Sequence, residues 1–78
     1  MKKIQIKLNQ IGDPVKLPAL LAKHPADFDL QQGRYIVDAK SVMGIYALDI
    51  LKPIDFVIHS DDAGIINSVL EDIKPWIL

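Results

Sequence analysis

The sequence predicts an α+β fold, an open-faced β-sandwich with three helices on one face of a four-stranded antiparallel sheet, in the order β-α-β-β-α-β-α. Three observations predict it. Four short segments alternate apolar and polar residues, so each strand has one buried and one wet face, the layering of an antiparallel sheet with helices on one side. Three further segments carry helix start and stop signals. The 78 residues leave room for one domain, residues 1–78, because a chain this short buries only about 60% of the surface its unfolded form exposes.

The first strand places Ile4, Ile6 and Leu8 on one side and Lys3, Gln5 and Lys7 on the other. Asn9 to Pro14 contains Gly12, Asp13 and Pro14 and reads as a turn or loop. A helix follows, and its start involves a choice. Asp13-Pro14 resembles a capping residue with proline at the first helical position. That register puts Pro18 in the fifth position, where its ring and missing N–H disturb the first turn. A start at Lys16 makes Pro18 the third residue, where no intrahelical donor is needed. The expected helix therefore runs from Lys16 to Lys23, ended by His24-Pro25, since the residue before proline is pushed out of the α region.

Phe28 and Leu30 alternate with Asp27, Asp29 and Gln31 in a second strand. Gln32-Gly33 reads as a hairpin turn, and Arg34 to Asp38 as the third strand. Ser41 is expected to cap a helix from Val42 to about Leu51, stopped by Lys52-Pro53. Ile54, Phe56 and Ile58 alternate with Asp55, Val57 and His59 in the fourth strand. Ser60-Asp61-Asp62 reads as a capping serine with acids at the positive end of the helix dipole. Ile65, Ile66, Val69, Leu70 and Ile73 then recur at helical spacing, and Pro75 closes the helix near Ile73. The apolar tail Trp76, Ile77 and Leu78 is expected to pack against the domain, or less readily against a second copy.

Composition narrows the function classes. Half the residues are hydrophobic and 24% are charged, as in a globular domain. A net charge of −1, with Lys2 and Lys3 the only adjacent lysines, argues against nucleic acid. Absence of cysteine excludes disulfide and thiolate chemistry and suits a reducing cytosol, so a cytoplasmic location is expected. Met1-Lys2-Lys3 has the charge of a signal-peptide start, but Ile4 to Leu8 alternates and no apolar run follows. No stretch approaches the roughly 20 apolar residues of a membrane span.

Candidate chemistry is sparse. His24 and His59 come from different elements, and each reads as a lone surface histidine; the carboxylates lie along exposed strand faces. Lys16 reads as solvated, and Asp61-Asp62 as a helix entry. No nucleophile–base arrangement and no glycine-rich phosphate loop is present. No catalytic residue, metal site or cofactor is expected, and no enzymatic activity.

The stretch Val37-Asp38-Ala39-Lys40-Ser41-Val42-Met43-Gly44 resembles the regulatory segment of the HPr phosphocarrier family of the bacterial sugar phosphotransferase system. In that segment a strand ends in Lys-Ser-Ile-Met-Gly and the serine opens the second helix. Leu17-Pro18-Ala19-Leu20-Leu21 sits like the start of the family's first helix, and the downstream strand, acidic helix entry and last helix also fall in place. The resemblance spans nearly the whole chain. Its departures are equally informative. The family's active site reads Gly-Leu-His-Ala-Arg-Pro, and against Pro18 its histidine falls on Val15 and its arginine on Leu17. Relaying phosphate requires a nucleophile that is itself phosphorylated, which valine cannot supply. Val15 and Leu17 thus mark a vacated phosphocarrier site. The segment between Pro18 and Ser41 is about one helical turn shorter than the family's, so a truncated first helix is expected.

What the resemblance implies for Ser41 has two forms. In the first, Ser41 is a regulatory phosphorylation site, with Lys40, Val42, Met43 and Tyr46 forming a partner-docking ridge while Ile45 and Leu48 face the core. A phosphate at a helix start meets free N–H groups and a favourable dipole. In the second, Ser41 is only the helix cap, a role worth about 1 kcal/mol over alanine. Three functional expectations follow. The chain is a non-phosphocarrier regulatory or protein-binding module; or a phosphocarrier with an atypical acceptor; or a structural or oligomerisation module that keeps only the fold. A protein partner is expected, without nucleic acid or membrane, from a monomer or weak homodimer.

Overall fold

The computed structural model describes residues 1–78. Its elements are β1 (Lys2–Ile6), α1 (Asp13–Leu21), β2 (Asp27–Gln32), β3 (Tyr35–Asp38), α2 (Val42–Tyr46), β4 (Ile54–His59) and α3 (Ala63–Asp72), followed by a 3₁₀ turn, Lys74–Trp76. The four strands form one antiparallel sheet in the spatial order β1-β4-β2-β3. This is the predicted α+β arrangement.

Register explains how alternation builds the layers. Ile4, Phe56, Leu30 and Val37 oppose one another across the four strands, and Ile58 opposes Phe28. These side chains share one face and join Leu17, Leu21, Ile45, Val69 and Ile73 from the helices in a single core. The Phe28 and Phe56 rings stack with centroids 5.6 Å apart. On the opposite face Lys3, Val57, Asp29 and Asp38 form one row, and Gln5, Asp55, Gln31 and Ile36 the next. Val57 was expected on the wet side, and it is there, yet it is buried. It lies in a central strand, flanked in register by Lys3 of β1 and Asp29 of β2.

α1 begins at Asp13, three residues before the expected start. The Asp13 carboxylate, itself buried, accepts from the backbone N–H groups of Asn9 and Gln10 at 2.9 and 2.8 Å. That clamp fixes the preceding loop, and Pro14 takes a position where its missing N–H costs nothing. Pro18 consequently sits inside the helix and leaves the Pro14 carbonyl without its intrahelical donor. Pro14, Leu17, Pro18 and Leu21 are all buried, so the face that packs on the sheet outweighs the missing bond.

Other expectations are corrected in similar ways. The turn of the β2–β3 hairpin is Gly33-Arg34, with Gly33 at φ +58°, so β3 starts at Tyr35. α2 stops at Tyr46 and does not reach Leu51. Gln32 accounts for the early stop. Its side chain accepts from the Asp49 N–H and donates to the Asp49 carbonyl, both at 2.8 Å, drawing the chain out of the helix toward the hairpin. The cap of α3 is Asp62, whose carboxylate accepts from the Gly64 and Ile65 N–H groups. Ser60 lies two residues earlier, and its Oγ accepts from the Asp62 N–H.

The tail packs on the domain. Trp76 is in the core, and Ile77 bridges to Ile6 along the outer side of β1. No helix is long and apolar enough to cross a membrane.

Candidate functional site

The segment leading into α2 is held at every residue. Asp38 ends β3; its carboxylate accepts from the Lys40 N–H at 2.9 Å and its carbonyl from the Ser41 N–H at 3.0 Å. Lys40 is turned inward. Its Nζ donates to the His24 carbonyl at 3.2 Å and lies 5.3 Å from the centroid of the Phe28 ring, tying the end of α1 to the start of α2. Ser41 has extended backbone angles, and its Oγ accepts from the Gly44 N–H at 3.1 Å, the geometry of an N-cap.

Gly44 lets this short helix sit low on the sheet. A Cβ at Gly44 would meet the Val37 Cβ at 3.1 Å and the Ser41 Cβ and Oγ at 3.4 Å. Lys40, Ser41 and Gly44 therefore each have a local physical role: anchor, cap and close approach. Ile45 is completely buried beneath them.

What remains outside is apolar. Met43 is 81% exposed and Tyr46 56%, and three residues of spacing put them on the same face of α2. Val42 is half-buried. Of the expected docking residues the structure thus brings Met43 and Tyr46 together, keeps Val42 at their margin and directs Lys40 elsewhere. Sequence reading missed Ile11, 93% exposed, and Leu51, 78% exposed. With Lys7, Leu8 and Ile50 they line a hollow of about 340 Å³. The only sequence signals are an apolar residue inside a turn segment, Ile11 before Gly12, and one at the expected end of the second helix, Leu51 before Lys52-Pro53.

Val15 and Leu17 are separated by the geometry of α1. Val15 is in the first turn with half its surface in solvent, whereas Leu17 has none. Lys16 is exposed, as expected.

The histidines are less free than the sequence suggested. His24 is only 10% exposed at its side chain, and its Nε2 donates to the Asp72 carboxylate at 2.7 Å. The Lys23 ammonium reaches the same oxygen at 3.2 Å, and Phe28 meets the imidazole edge-on at 6.4 Å. Because α1 ends at Leu21, His24 lies in the turn beyond it and folds between that turn and α3. The expectation of a loose surface histidine fails here. The hydrogen bonds from His24 and then Lys23 hold the Asp72 carboxyl below the usual carboxylate range. His59 is on the open face of the sheet, as expected, with its Nε2 donating to Asp29 at 2.6 Å. No group of three or more histidine, aspartate or glutamate side chains is arranged to hold a metal ion.

No protein-family model matches the sequence, and no curated protein does. Solved structures do match. The chain is similar to HPr-C-His from Thermoanaerobacter tengcongensis, with a TM-score of 0.74 and 18% identity over 95% of this chain and 92% of that one. It is also similar to the phosphocarrier protein HPr from Bacillus anthracis str. Ames, with a TM-score of 0.66 and 22% identity over 92% of this chain and 93% of that one. The chain therefore has an HPr-like fold.

Proposed function

We propose that this HPr-like chain is a protein-binding, regulatory module related to the sugar phosphotransferase system, and that it carries no phosphate itself. The observation that supports this reading is the pairing of Met43 and Tyr46 on the solvent face of a helix pinned by its other residues. Two large apolar side chains held to water by a fixed backbone are suited to docking, because a partner that covers them has no backbone to order first. The fold's relation to HPr proteins, one of them described as a phosphocarrier, supports a protein partner in general.

The absence of phosphocarrier activity rests on chemistry. Val15 offers no nucleophile at the start of α1, where the resemblance would put the phosphorylated histidine. Incubation with phosphoenolpyruvate and enzyme I should leave no acid-labile phosphate on the chain. Stoichiometric labelling of His24 or His59 would instead favour a carrier with an unusual acceptor.

Ser41 lies beside the ridge, where a phosphate would add nearly two negative charges next to Met43. Control of docking by Ser41 phosphorylation belongs to this proposal. The docking itself is tested by capture from native cytosol with the wild-type chain and with Met43→Asp/Tyr46→Asp. A partner retained by the first and lost by the second is the expected result. Identical capture by both would end the ridge reading.

A further inference from the structure

The two edges of the sheet differ. Along β1 the chain's own tail covers the C-terminal end of the edge, where the Lys7 N–H donates to the Trp76 carbonyl at 2.8 Å and the Leu78 N–H to the Gln5 carbonyl at 3.1 Å, while Lys2 and Lys3 charge the rest of it. Along β3 nothing lies, and Tyr35–Asp38 pairs with β2 alone. Proteins usually blunt such an edge with lysine, proline or a bulge. β3 has none of these and is blunted only by its length of four residues and the charge of Asp38; its register with β2 is unbroken, and Tyr35 and Ile36 are 60% and 66% exposed.

The hairpin determines which backbone groups face that edge. Gly33 has positive φ and Arg34 does not, the pattern of a two-residue type II′ turn, in which the flanking residues Gln32 and Tyr35 exchange hydrogen bonds. Bonded and non-bonded pairs alternate along an antiparallel ladder, so Leu30–Val37 and Phe28–Ala39 are the next bonded pairs. The Ala39 N–H does donate to the Phe28 carbonyl, at 2.9 Å. The N–H and C=O of Ile36, and the N–H of Asp38, therefore point away from β2.

We propose that β3 pairs antiparallel with β3 of a second copy of this chain, about a twofold axis at Ile36, making the two sheets continuous. In this register Ile36 opposes Ile36 of the partner subunit, Tyr35 opposes its Val37, and Arg34 opposes its Asp38. The outward N–H and C=O groups of Ile36 meet their counterparts in the bonding phase the hairpin imposes. Arg34 and Asp38 take part in none of the chain's own ion pairs, and the twofold axis satisfies both at each end. Registers shifted by two residues keep the bonding phase but set a charge against Ile36. The self-complementary charges thus select both the occupant and the register. Opposite charges and apolar residues facing each other across strands are each stabilising.

So short an edge gives a weak dimer, with a dissociation constant in the range of roughly 10 µM to 1 mM. Sedimentation velocity of the full chain across that range should show a reversible shift from monomer to dimer. Ile36→Lys, an exposed change whose fold is checked by circular dichroism, should weaken association at least about tenfold by opposing like charges on the axis. Arg34→Asp and Asp38→Arg should each weaken it, and the double variant should recover to within about threefold of wild type. A monomer at every concentration overturns the proposal, as does a dimer that Ile36→Lys leaves unchanged. A double variant no tighter than the singles overturns it too, since the register would then be wrong.

Discussion

Gly44 and Val37 stand so close that a single added carbon at Gly44 would lie 3.1 Å from the Val37 Cβ. The contact joins α2 to the outermost strand, and neither backbone has a flexible side chain to yield. Gly44→Ala gains up to about 1 kcal/mol of helix propensity. It also forces overpacking, typically about 1–3 kcal/mol. The expected balance is a net destabilisation of about 1 kcal/mol, read as a lower urea midpoint with unchanged slope. A midpoint equal to or above wild type would show that α2 can lift off the sheet freely.

Ser41 separates into two measurable roles. As the cap bonded to Gly44, it should lose about 1 kcal/mol on Ser41→Ala and almost nothing on Ser41→Asp, because aspartate caps equally well. As a switch, it should change partner affinity when authentic phosphoserine is installed, since phosphate recruits arginine in a way aspartate imitates poorly. Equal binding of phosphorylated and unmodified chains, with no modification by an HPr kinase, would reduce Ser41 to its cap.

The link between Asp72 and His24 makes stability depend on acid. Asp72 is held below its ordinary value, chiefly by the hydrogen bond from His24 and then by Lys23. A carboxylate depressed in the folded state binds its proton more readily when unfolded. Its contribution is therefore fully present above the unfolded value of about 3.9 and is lost as pH falls through the lower folded value. Thermal midpoints of wild type and Asp72→Asn should differ near neutrality and converge as pH drops below about 4. A gap that stays constant to pH 2.5 would remove Asp72 from the acid limb.

Trp76 is 7% exposed and lies in the core. Its emission should be blue-shifted, poorly quenched by iodide and independent of protein concentration, because the domain itself covers the ring. Trp76→Ala should cost about 3 kcal/mol or more, a large fraction of a small domain's stability. Red-shifted, freely quenched emission from the folded chain would contradict the packing.

Local pattern determined the sheet. Ile4, Leu30, Phe56 and Ile58 alternate with polar neighbours, and a period of two leaves a strand only one way to face a core. The acidic entry to α3, the cap at Ser41 and the glycine of the hairpin were legible for the same reason: each is chemistry acting within a few residues. The apolar face of α2 was legible as well, because Ile45 and Leu48 take the core and leave Met43 and Tyr46 outside. The tertiary structure decided whatever depends on distant partners. Pro18 stays within a helix because Leu17 and Leu21 are buried on the sheet. α2 ends at Tyr46 because Gln32, in another strand, captures the backbone of Asp49. Lys40 turns inward to the His24 carbonyl and the Phe28 ring, and His24 finds Asp72 at a separation of 48 residues. Such contacts carry no sequence periodicity, since they form only when folding brings remote segments within bonding distance.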